Sequence, residues 1–425
     1  MANFKSPNVL MFGWEFPPYN SGGLGVACEG MSKALSASGV NLTFTLPYKV
    51  PIKARWCKFV FADEEVEFKN SKEVMDYVSG YTSHTSTNFN KELISKISGM
   101  KGNSLMERVF LYAKKAPSIA SKTVHSIIHV HDWLTYPAGI EAKKFSKRPL
   151  VTHIHATEYD RSGEDINKDI FEIEKEGFRK ADMIVAVSGR TRKSVIERYR
   201  IDPNKVKVVH NGVEFENNQN SVPLNIQDLK NKGNNIVLFA GRITFQKGPD
   251  YFVSMAEKIL SFEPNTYFVI SGSGDMEESM IRDVSRRGLS NRFIFCGFLR
   301  GNELSAVYRA ADIYVMPSVS EPFGILPLEV MLSDTPVLIS KESGVSEVVS
   351  CVLKSNFWDV DDMTDKVISV LRNKKLHSQL SITGKKEVRT IHWKKAADSL
   401  ISLYNSLEES NKVVEFIPSL EFAIA

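Results

Sequence analysis

Two glutamates eight positions apart, Glu321 and Glu329, are the residues of this 425-residue chain best suited to chemistry. Residues 312–316, which are apolar after Asp312, predict a strand, and the loop after it carries Glu321. Gly324 then opens a predicted helix that carries Glu329. Both carboxylates are therefore expected at the carboxyl edge of a parallel sheet, where open α/β folds bind ligands. Because glycine and a helix start let backbone amides approach an anion, the pattern predicts a sugar-nucleotide site.

Two cations follow a second predicted strand. Residues 235–240, which are apolar after Asn235, predict this strand, and the loop after it carries Arg242 and Lys247. Arginine can donate to two phosphate oxygens at once, whereas lysine supplies a mobile point charge. We therefore expect this pair to stabilise a departing diphosphate without a metal ion.

A glycine-rich turn lies near the start of the chain. The strand-like residues 9–13 lead through a loop to Gly22-Gly23-Leu24-Gly25, a helical pattern follows to Ser38, and residues 40–46 predict the next strand. This is a βαβ unit whose glycines let the main chain press against a ligand. The spacing is not G-x-G-x-x-G, which counts against a nicotinamide enzyme.

Four histidines alternate along two further predicted strands, 127–131 and 150–155. His129 and His131 share one face of the first strand, and His153 and His155 share one face of the second. If the strands are neighbours, the four imidazoles meet. A zinc site is one interpretation, although no further carboxylate or cysteine spacing supports it. Core packing is the interpretation that we favour for His129 and His153.

The alternation of strands with helices predicts two parallel sheets in an α/β protein. An asparagine-rich polar stretch, 214–227, separates them. We predict an N-terminal domain at 1–212, a linker at 213–228, a C-terminal domain at 229–390 and a helical tail at 391–425. The predicted strands of the second sheet begin near 235, 267, 292, 312 and 336.

Composition limits the class of protein. The net charge of +4 is too small to argue for nucleic acid as a partner. The four cysteines lack metal-type spacing and indicate reduced thiols in a cytoplasmic protein. The chain shows neither a signal-peptide pattern nor an apolar run of membrane-spanning length. The polar stretch 79–90 predicts a loop; the basic, amphipathic stretch 91–115 predicts a solvated helix face and leaves peripheral membrane or glucan contact open.

The combination of these motifs resembles a known family. The stretch 316–331, the Gly-Gly-Leu turn and the His131-Asp132-Trp133 string are similar to retaining glycosyltransferases with two Rossmann-like domains, the GT-B group that includes glycogen and starch synthases. The resemblance implies two domains with parallel sheets facing a central cleft. It also implies that the C-terminal helix crosses back onto the first domain.

The resemblance assigns roles to particular residues. It implies that Glu321 lies near the transferred sugar, that Glu329 accepts from the ribose hydroxyls, and that His131 contacts the donor sugar. The remaining implied donor ligands are Gly22, Gly23, Arg242, Lys247, Gly324 and Ile325. His155 and Glu158 are the implied acceptor-side residues. No metal and no cofactor are implied beyond the nucleoside-diphosphate sugar itself.

The acceptor is the more open part of the prediction. The resemblance favours transfer of glucose from UDP-glucose or ADP-glucose to an α-glucan, as in glycogen biosynthesis. Glycogen and starch synthases have a lysine where this chain has Asn20. Because of this departure, a GDP-sugar remains a possible donor. A lipid, a small sugar or a sugar phosphate remains a possible acceptor. Two other classes also remain: a metal-dependent hydrolase that uses the four histidines, and a catalytically silent sugar-nucleotide-binding protein.

Overall fold

The computed structural model describes residues 6–20, 22–63, 104–214 and 224–416. The predicted loop at 79–90 and the first part of the stretch 91–115 lie outside these ranges. The chain divides into two compact units. The first contains Met1–Tyr159, Gly163–Gly212 and Trp393–Ala425, and the second contains Asp160–Ser162 and Val213–His392.

The first unit is built on a seven-stranded, entirely parallel sheet. Its strands are β1 (Asn8–Phe12), β2 (Asn41–Leu46), β3 (Lys58–Phe61), β4 (Ile127–His131), β5 (Leu150–Ile154), β6 (Met183–Ala186) and β7 (Val206–Val208). The spatial order is β3-β2-β1-β4-β5-β6-β7. The central strands are buried along their length because helices cover both faces of the sheet, which explains their continuous apolar runs. The order reverses between β1 and β4, and ligands of such sheets bind at the carboxyl ends of the strands flanking this switch point.

The described helices of the first unit alternate with these strands. They are α1 (Gly23–Ala37), α2 (Leu105–Ser121), α3 (Tyr136–Ser146), α4 (Glu158–Ser162, whose last three residues belong to the second unit), α5 (Lys168–Lys180), α6 (Gly189–Tyr199) and, from the end of the chain, the last helix Trp393–Phe416. Helix α2 begins with a capping box, in which the Ser104 hydroxyl accepts from the Glu107 amide and the Glu107 carboxylate accepts from the Ser104 amide.

The last helix packs on α1 within this unit. A Cβ added at Gly30 of α1 would lie 2.2 Å from the indole nitrogen of Trp393, so glycine lets the two helices approach closely. Tyr404, on the same helix, is completely buried and bonds to His129 of β4. The predicted return of the C-terminal helix to the first domain agrees with this packing.

The second unit repeats the same topology with six parallel strands. These are β8 (Asn235–Ala240), β9 (Thr266–Ser271), β10 (Phe293–Phe295), β11 (Ile313–Met316), β12 (Val337–Ser340) and β13 (Leu353–Ser355), in the order β10-β9-β8-β11-β12-β13. Its switch point lies between β8 and β11. Two Rossmann-like sheets were predicted, and both are present.

The helices of the second unit cover its sheet. In chain order they are α7 (Leu224–Asn231), α8 (Pro249–Phe262), α9 (Glu277–Arg286), α10 (Gly301–Ala310), α11 (Leu326–Leu332), α12 (Val360–Arg372) and α13 (Lys374–Val388), and the last helix of the first unit is therefore α14. The Asp359 side chain caps α12 by accepting from the Asp362 amide. Among the described helices, none has the length and apolar character needed to cross a membrane.

Candidate active site

Two loops of the second unit follow the two strands of its switch point. Arg242 and Lys247 follow β8, and Glu321 follows β11. Gly248 lets the loops touch: it adopts φ +66°, and a Cβ there would lie 2.2 Å from the Pro317 carbonyl oxygen. The Val319 amide then donates to the Gln246 carbonyl at 2.9 Å. The fold therefore joins two motifs that are about seventy positions apart in the sequence.

The ammonium group of Lys247 contacts the carboxylate of Glu321 directly. The two side chains are only 13 % and 8 % exposed, so this ion pair is largely removed from water. The Ser318 hydroxyl lies 3.4 Å from the same carboxylate oxygen. A cation predicted to bind the diphosphate and a carboxylate predicted to lie near the transferred sugar are thus ion-pair partners.

The loop that carries Glu321 is held by main-chain bonds on both sides of this residue. The Glu321 amide donates to the Glu342 carbonyl at 2.9 Å, and the Gly344 amide donates to the Glu321 carbonyl at 2.8 Å. Gly324 adopts φ +95°, and a Cβ at this position would lie 3.1 Å from Glu321 Cγ. The loop thus needs glycine in order to fold over the glutamate side chain.

Glu329 lies in the first turn of α11, a helix of only seven residues. Its carboxylate accepts from the buried Tyr308 hydroxyl at 3.1 Å. Burial raises the pKa of Tyr314, and the negative charges of Glu321 and Glu329 raise it further. Both carboxylates therefore act on the same tyrosine, which places the two predicted acids in one region of the unit.

Arg242 lies near a second carboxylate in this unit. Burial raises the pKa of Asp275, whereas the Arg242 guanidinium opposes that shift. The turn that carries Asp275 packs against the Arg242 loop, since a Cβ at Gly272 would lie 1.8 Å from the Gly241 carbonyl. The Gly272 amide donates to the Gly297 carbonyl at 2.8 Å, so the turn that follows β10 adjoins the same loops.

Several residues of this region carry no signal in the sequence. Gln246 and Tyr308 contact the predicted ligands Arg242 and Glu329 but were assigned no role from the sequence. Ser318 lies within the stretch 316–331, yet its contact with Glu321 is not part of the predicted pattern. Tyr308 lies in an amphipathic helix, where a buried tyrosine is indistinguishable from an ordinary core residue. Only the fold shows that its hydroxyl meets Glu329.

In the first unit, the glycine turn follows β1 and leads into α1. Gly22 is the extended residue before the helix, and a Cβ at Gly23 would meet no atom within 4 Å. The buried Glu15 carboxylate accepts from the Gly25 amide at 2.9 Å, and the Asn20 side-chain amide donates to the Gly22 carbonyl at 3.0 Å. A carboxylate therefore already occupies part of the first helical turn.

The four histidines meet, because β4 and β5 are neighbours and His131 pairs with His153 across them. His131 Nδ1 lies 3.0 Å from His155 Nε2, and His153 Nδ1 lies 3.3 Å from His129 Nε2. The first three positions, 129, 131 and 153, are completely buried, whereas His155 is half-buried. The Nε2 atoms of His131 and His153 are buried without a hydrogen-bond partner.

Burial keeps these imidazoles neutral. Burial, together with a smaller effect of the neighbouring His155, lowers the pKa of His129 to about 3. Burial is also the main cause of the lowered pKa of His131 and of His153, with the other imidazoles adding to it. The pKa of His155 is lowered by burial as well, although Asp132 opposes this shift. The cluster is thus a set of uncharged nitrogen donors and acceptors at neutral pH.

The two predicted acceptor-side residues differ in accessibility. The His155 amide donates to Asp132 Oδ1 at 2.6 Å, and its ring retains some exposure. Glu158 is completely buried, and its carboxylate accepts from the Asn167 amide at 3.0 Å. Asn167 in turn caps α5. This position gives Glu158 a structural role at a helix start and offers no surface to an acceptor.

Comparison with known proteins agrees with this architecture. Residues 224–387 match the family described as "Glycosyl transferases group 1", and residues 78–217 match "Glycosyltransferase Family 4". An uncharacterised glycosyltransferase of Methanocaldococcus jannaschii is 30% identical over 359 residues, covering 80% of this chain and 82% of that protein. A glycogen synthase of Mycobacterium tuberculosis is 26% identical over 346 residues and 80% of each chain.

Solved structures show the same fold at lower identity. A sucrose-phosphate synthase from Thermosynechococcus elongatus superposes with a TM-score of 0.74 at 18% identity, covering 96% of this chain and 100% of that one. The Anabaena protein HepE, solved in complex with UDP-glucose, gives a TM-score of 0.64 at 16% identity, with coverage of 96% and 100%. Its relatives and its two Rossmann-like sheets show that the chain belongs to the glycosyltransferases of the GT-B type.

Proposed function

We propose that this glycosyltransferase moves glucose from a nucleoside-diphosphate sugar to an α-glucan and retains the anomeric configuration. The observation that carries the proposal is the Lys247–Glu321 ion pair in the second unit. A lysine that can leave its carboxylate for a diphosphate frees that carboxylate for the sugar. The pair thus links donor binding to exposure of the group that acts at the reacting carbon.

In the proposed reaction, Arg242 and Lys247 neutralise the diphosphate as the bond between the anomeric carbon and the phosphate oxygen breaks. The acceptor hydroxyl forms its new bond on the face that the diphosphate vacates, and its proton passes to the departing phosphate oxygen. Glu321 stabilises positive charge at the anomeric carbon. No step requires a metal ion, because the two basic side chains supply the positive charge.

The nucleotide is proposed to lie against the same loops. Glu329 accepts from the two ribose hydroxyls, and its orientation is held by the Tyr308 hydroxyl. The amides of Gly324 and Ile325 face the diphosphate. UDP is the proposed nucleotide of the donor, and it is supported by HepE, which was solved with UDP-glucose. ADP-glucose is the competing donor.

The α-glucan acceptor is supported by the glycogen synthase relative, which matches over 80% of both chains. A second acceptor class has its own support. A D-inositol 3-phosphate glycosyltransferase of Segniliparus rotundus is 26% identical over 66% of each chain, and a mannosylfructose-phosphate synthase of Agrobacterium fabrum is 24% identical over 66% of this chain. With Asn20 at the position of the usual lysine, a small phosphorylated acceptor is the alternative.

The test is nucleotide release from UDP-, ADP- and GDP-glucose in the presence of a chelator, with glycogen, inositol phosphate or hexose phosphates as acceptors. Release of UDP or ADP only with glycogen, and an α-linked product in the NMR spectrum, is the expected result. Release that requires a phosphorylated sugar would replace the acceptor while retaining the donor site. Loss of all turnover with chelator would overturn the metal-independent mechanism.

A further inference from the structure

The second unit exposes aromatic side chains beside a small cavity, and the proposed transfer reaction does not use them. Phe245 and Trp358 are large apolar residues, yet they are 54% and 56% exposed. Contiguous apolar surface that remains exposed in a folded protein often marks a binding site. We propose that this aromatic surface, formed by Phe245, Tyr251, Phe357 and Trp358, binds a neutral α-glucan chain through residues that have no assigned contact with the donor.

Three of these rings form a continuous series. The ring centroid of Tyr251 lies 5.1 Å from that of Phe357, which in turn lies 4.8 Å from that of Trp358. The ring planes meet at 72° and 89°, which is the edge-to-face arrangement that aromatic pairs prefer. Tyr251 lies in the first turn of α8, and Phe357 follows β13, so two elements of the fold hold the series. Trp358 is therefore supported by Phe357 while more than half of it stays exposed.

Tyr251 also connects this series with the cavity. The cavity has a volume of about 240 Å³, and Phe245, Tyr251 and Val319 form part of its wall. Pockets that enclose a drug-sized ligand are larger, at roughly 300–1,000 Å³. A cavity of this size therefore suits one unit of a longer chain, whose neighbouring units would extend over the exposed rings.

The polar groups of the cavity favour a neutral ligand. The Asp250 carboxylate and the Ser254 hydroxyl line it, and among the described residues of its wall none is lysine, arginine or histidine. Asp250 lies in the first turn of α8, where the helix start would otherwise attract a phosphate. A carboxylate and a hydroxyl instead form hydrogen bonds with sugar hydroxyls, and the electron-rich faces of the rings attract the C–H groups of a pyranose. These groups fit an unmodified carbohydrate better than a phosphorylated one.

The cavity is built from the loops of the candidate active site. Phe245 precedes Lys247 by two residues, and Val319 precedes Glu321 by two residues. The Val319 amide donates to the Gln246 carbonyl, so the two loops are joined at the cavity. A glucan held here raises the local concentration of acceptor chains near the donor. The choice of ligand rests on the proposed α-glucan acceptor, and the inference adds a second contact for long chains.

The test measures binding without a donor, so it does not depend on turnover. The full-length protein is run by native electrophoresis in gels with and without glycogen, and its tryptophan fluorescence is recorded as maltoheptaose is added. Trp358 is the most exposed of the five tryptophans, so a glucan that covers it should change the emission. We expect glycogen to retard the protein and maltoheptaose to change its fluorescence.

The matched variants are Trp358→Ala and Phe262→Ala. Phe262 is 61% exposed at the end of α8 and lies outside the aromatic surface. Trp358→Ala should weaken glycogen binding by about tenfold, as truncation of an aromatic anchor does in other interfaces, and should abolish the fluorescence change. Phe245→Ala should also weaken binding, whereas Phe262→Ala should bind as the wild type does. Thermal unfolding shows whether each variant is folded.

The outcomes separate this inference from the proposed function. Equal retardation of the wild type, Trp358→Ala and Phe245→Ala would overturn the inference. Transfer to glucan by a protein that glycogen does not retard would also overturn it and would leave the proposed function intact. Retardation that depends on Trp358, in a protein that transfers only to phosphorylated sugars, would support the binding surface and refute the proposed acceptor. Self-association that depends on Trp358, without retardation by glycogen, would identify a protein interface instead.

Discussion

The buried ion pair of Lys247 and Glu321 offers the sharpest test of the candidate active site. Lys247→Met and Glu321→Gln each remove one charge and leave the other without its partner. The double variant removes both. Because each group is assigned a different task on the donor, stability and activity should respond differently across the three variants.

The magnitude follows from the burial of the pair. Removing one partner of a buried ion pair costs about 3–5 kcal/mol of stability. Because the Lys247 and Glu321 side chains keep 13 % and 8 % of their exposure, the cost of each single variant should lie near the lower end of that range. For a unit the size of the second one, about 3 kcal/mol lowers the Tm by roughly 6–12 °C. The double variant should lose only about 1 kcal/mol, because no unpaired charge stays buried.

The stability assay is thermal unfolding of the three variants beside Lys258→Met. Lys258 pairs with Asp361 on the surface, where the side chains are 46% and 81% exposed, so this control should cost less than about 1 kcal/mol and keep full activity. Nucleotide release from the donor is measured in parallel. All three site variants should lose transfer, including the double variant in which stability returns.

Two results would refute this reasoning. If the double variant is destabilised by the sum of the single variants, the two side chains are not coupled. If Glu321→Gln transfers sugar at the wild-type rate, the carboxylate has no role at the reacting carbon.

Three further predictions concern other parts of the molecule. Gly23→Ala should leave the Tm unchanged, because a Cβ at this position meets no atom, and it should raise the donor KM. Gly30→Ala should lower the Tm, because overpacking against the last helix costs about 1–3 kcal/mol. Equal effects of the two variants on the Tm or on the donor KM would contradict this prediction. Because folding lowers the pKa of His129 from 6.5 to about 3, its contribution is complete above pH 6.5 and is lost as the pH falls toward 3. At pH 5 that loss is about 2 kcal/mol, so His129→Gln should show a flatter decline than wild type in denaturant unfolding with chelator. Tyr308→Phe should raise the donor KM with little change in kcat, because it removes the bond that orients Glu329; a fall in kcat alone would argue against ribose binding.

The long strands and helices of the fold were predictable because their apolar runs are continuous or helically spaced. The two strands that were not predicted, β3 and β13, are short and lie at the outer edges of their sheets. Each carries a lysine, Lys58 or Lys354, which breaks the apolar pattern. Edge strands of this kind form because a neighbouring strand offers hydrogen bonds, and the sequence of the edge strand alone does not record that neighbour.

The candidate site was predictable only in part for a similar reason. Motif spacing placed Arg242, Lys247 and Glu321 after strands, and the switch-point rule explains why these loops meet. The pairing of Lys247 with Glu321 depends on the close approach permitted by Gly248, which is a property of two folded loops. Glu158 illustrates the opposite case. The family resemblance implied an acceptor-side role for Glu158, yet tertiary packing buries its carboxylate at the start of α5.

The glycine turn of the first unit bears on where the donor charge is neutralised. At the position of the usual lysine, Asn20 instead donates its side-chain amide to the Gly22 carbonyl, and it lies so close that a Cβ at Gly25 would be 2.4 Å from its own Cβ. The Glu15 carboxylate meanwhile accepts from the Gly25 amide. With a neutral amide and a buried carboxylate, this turn supplies no positive side-chain charge, and only its main chain, at the helix start, could favour an anion. The proposed mechanism therefore assigns the positive charge at the departing diphosphate to the basic residues that follow β8, which is why the ion pair formed by Lys247 is central to the proposed function.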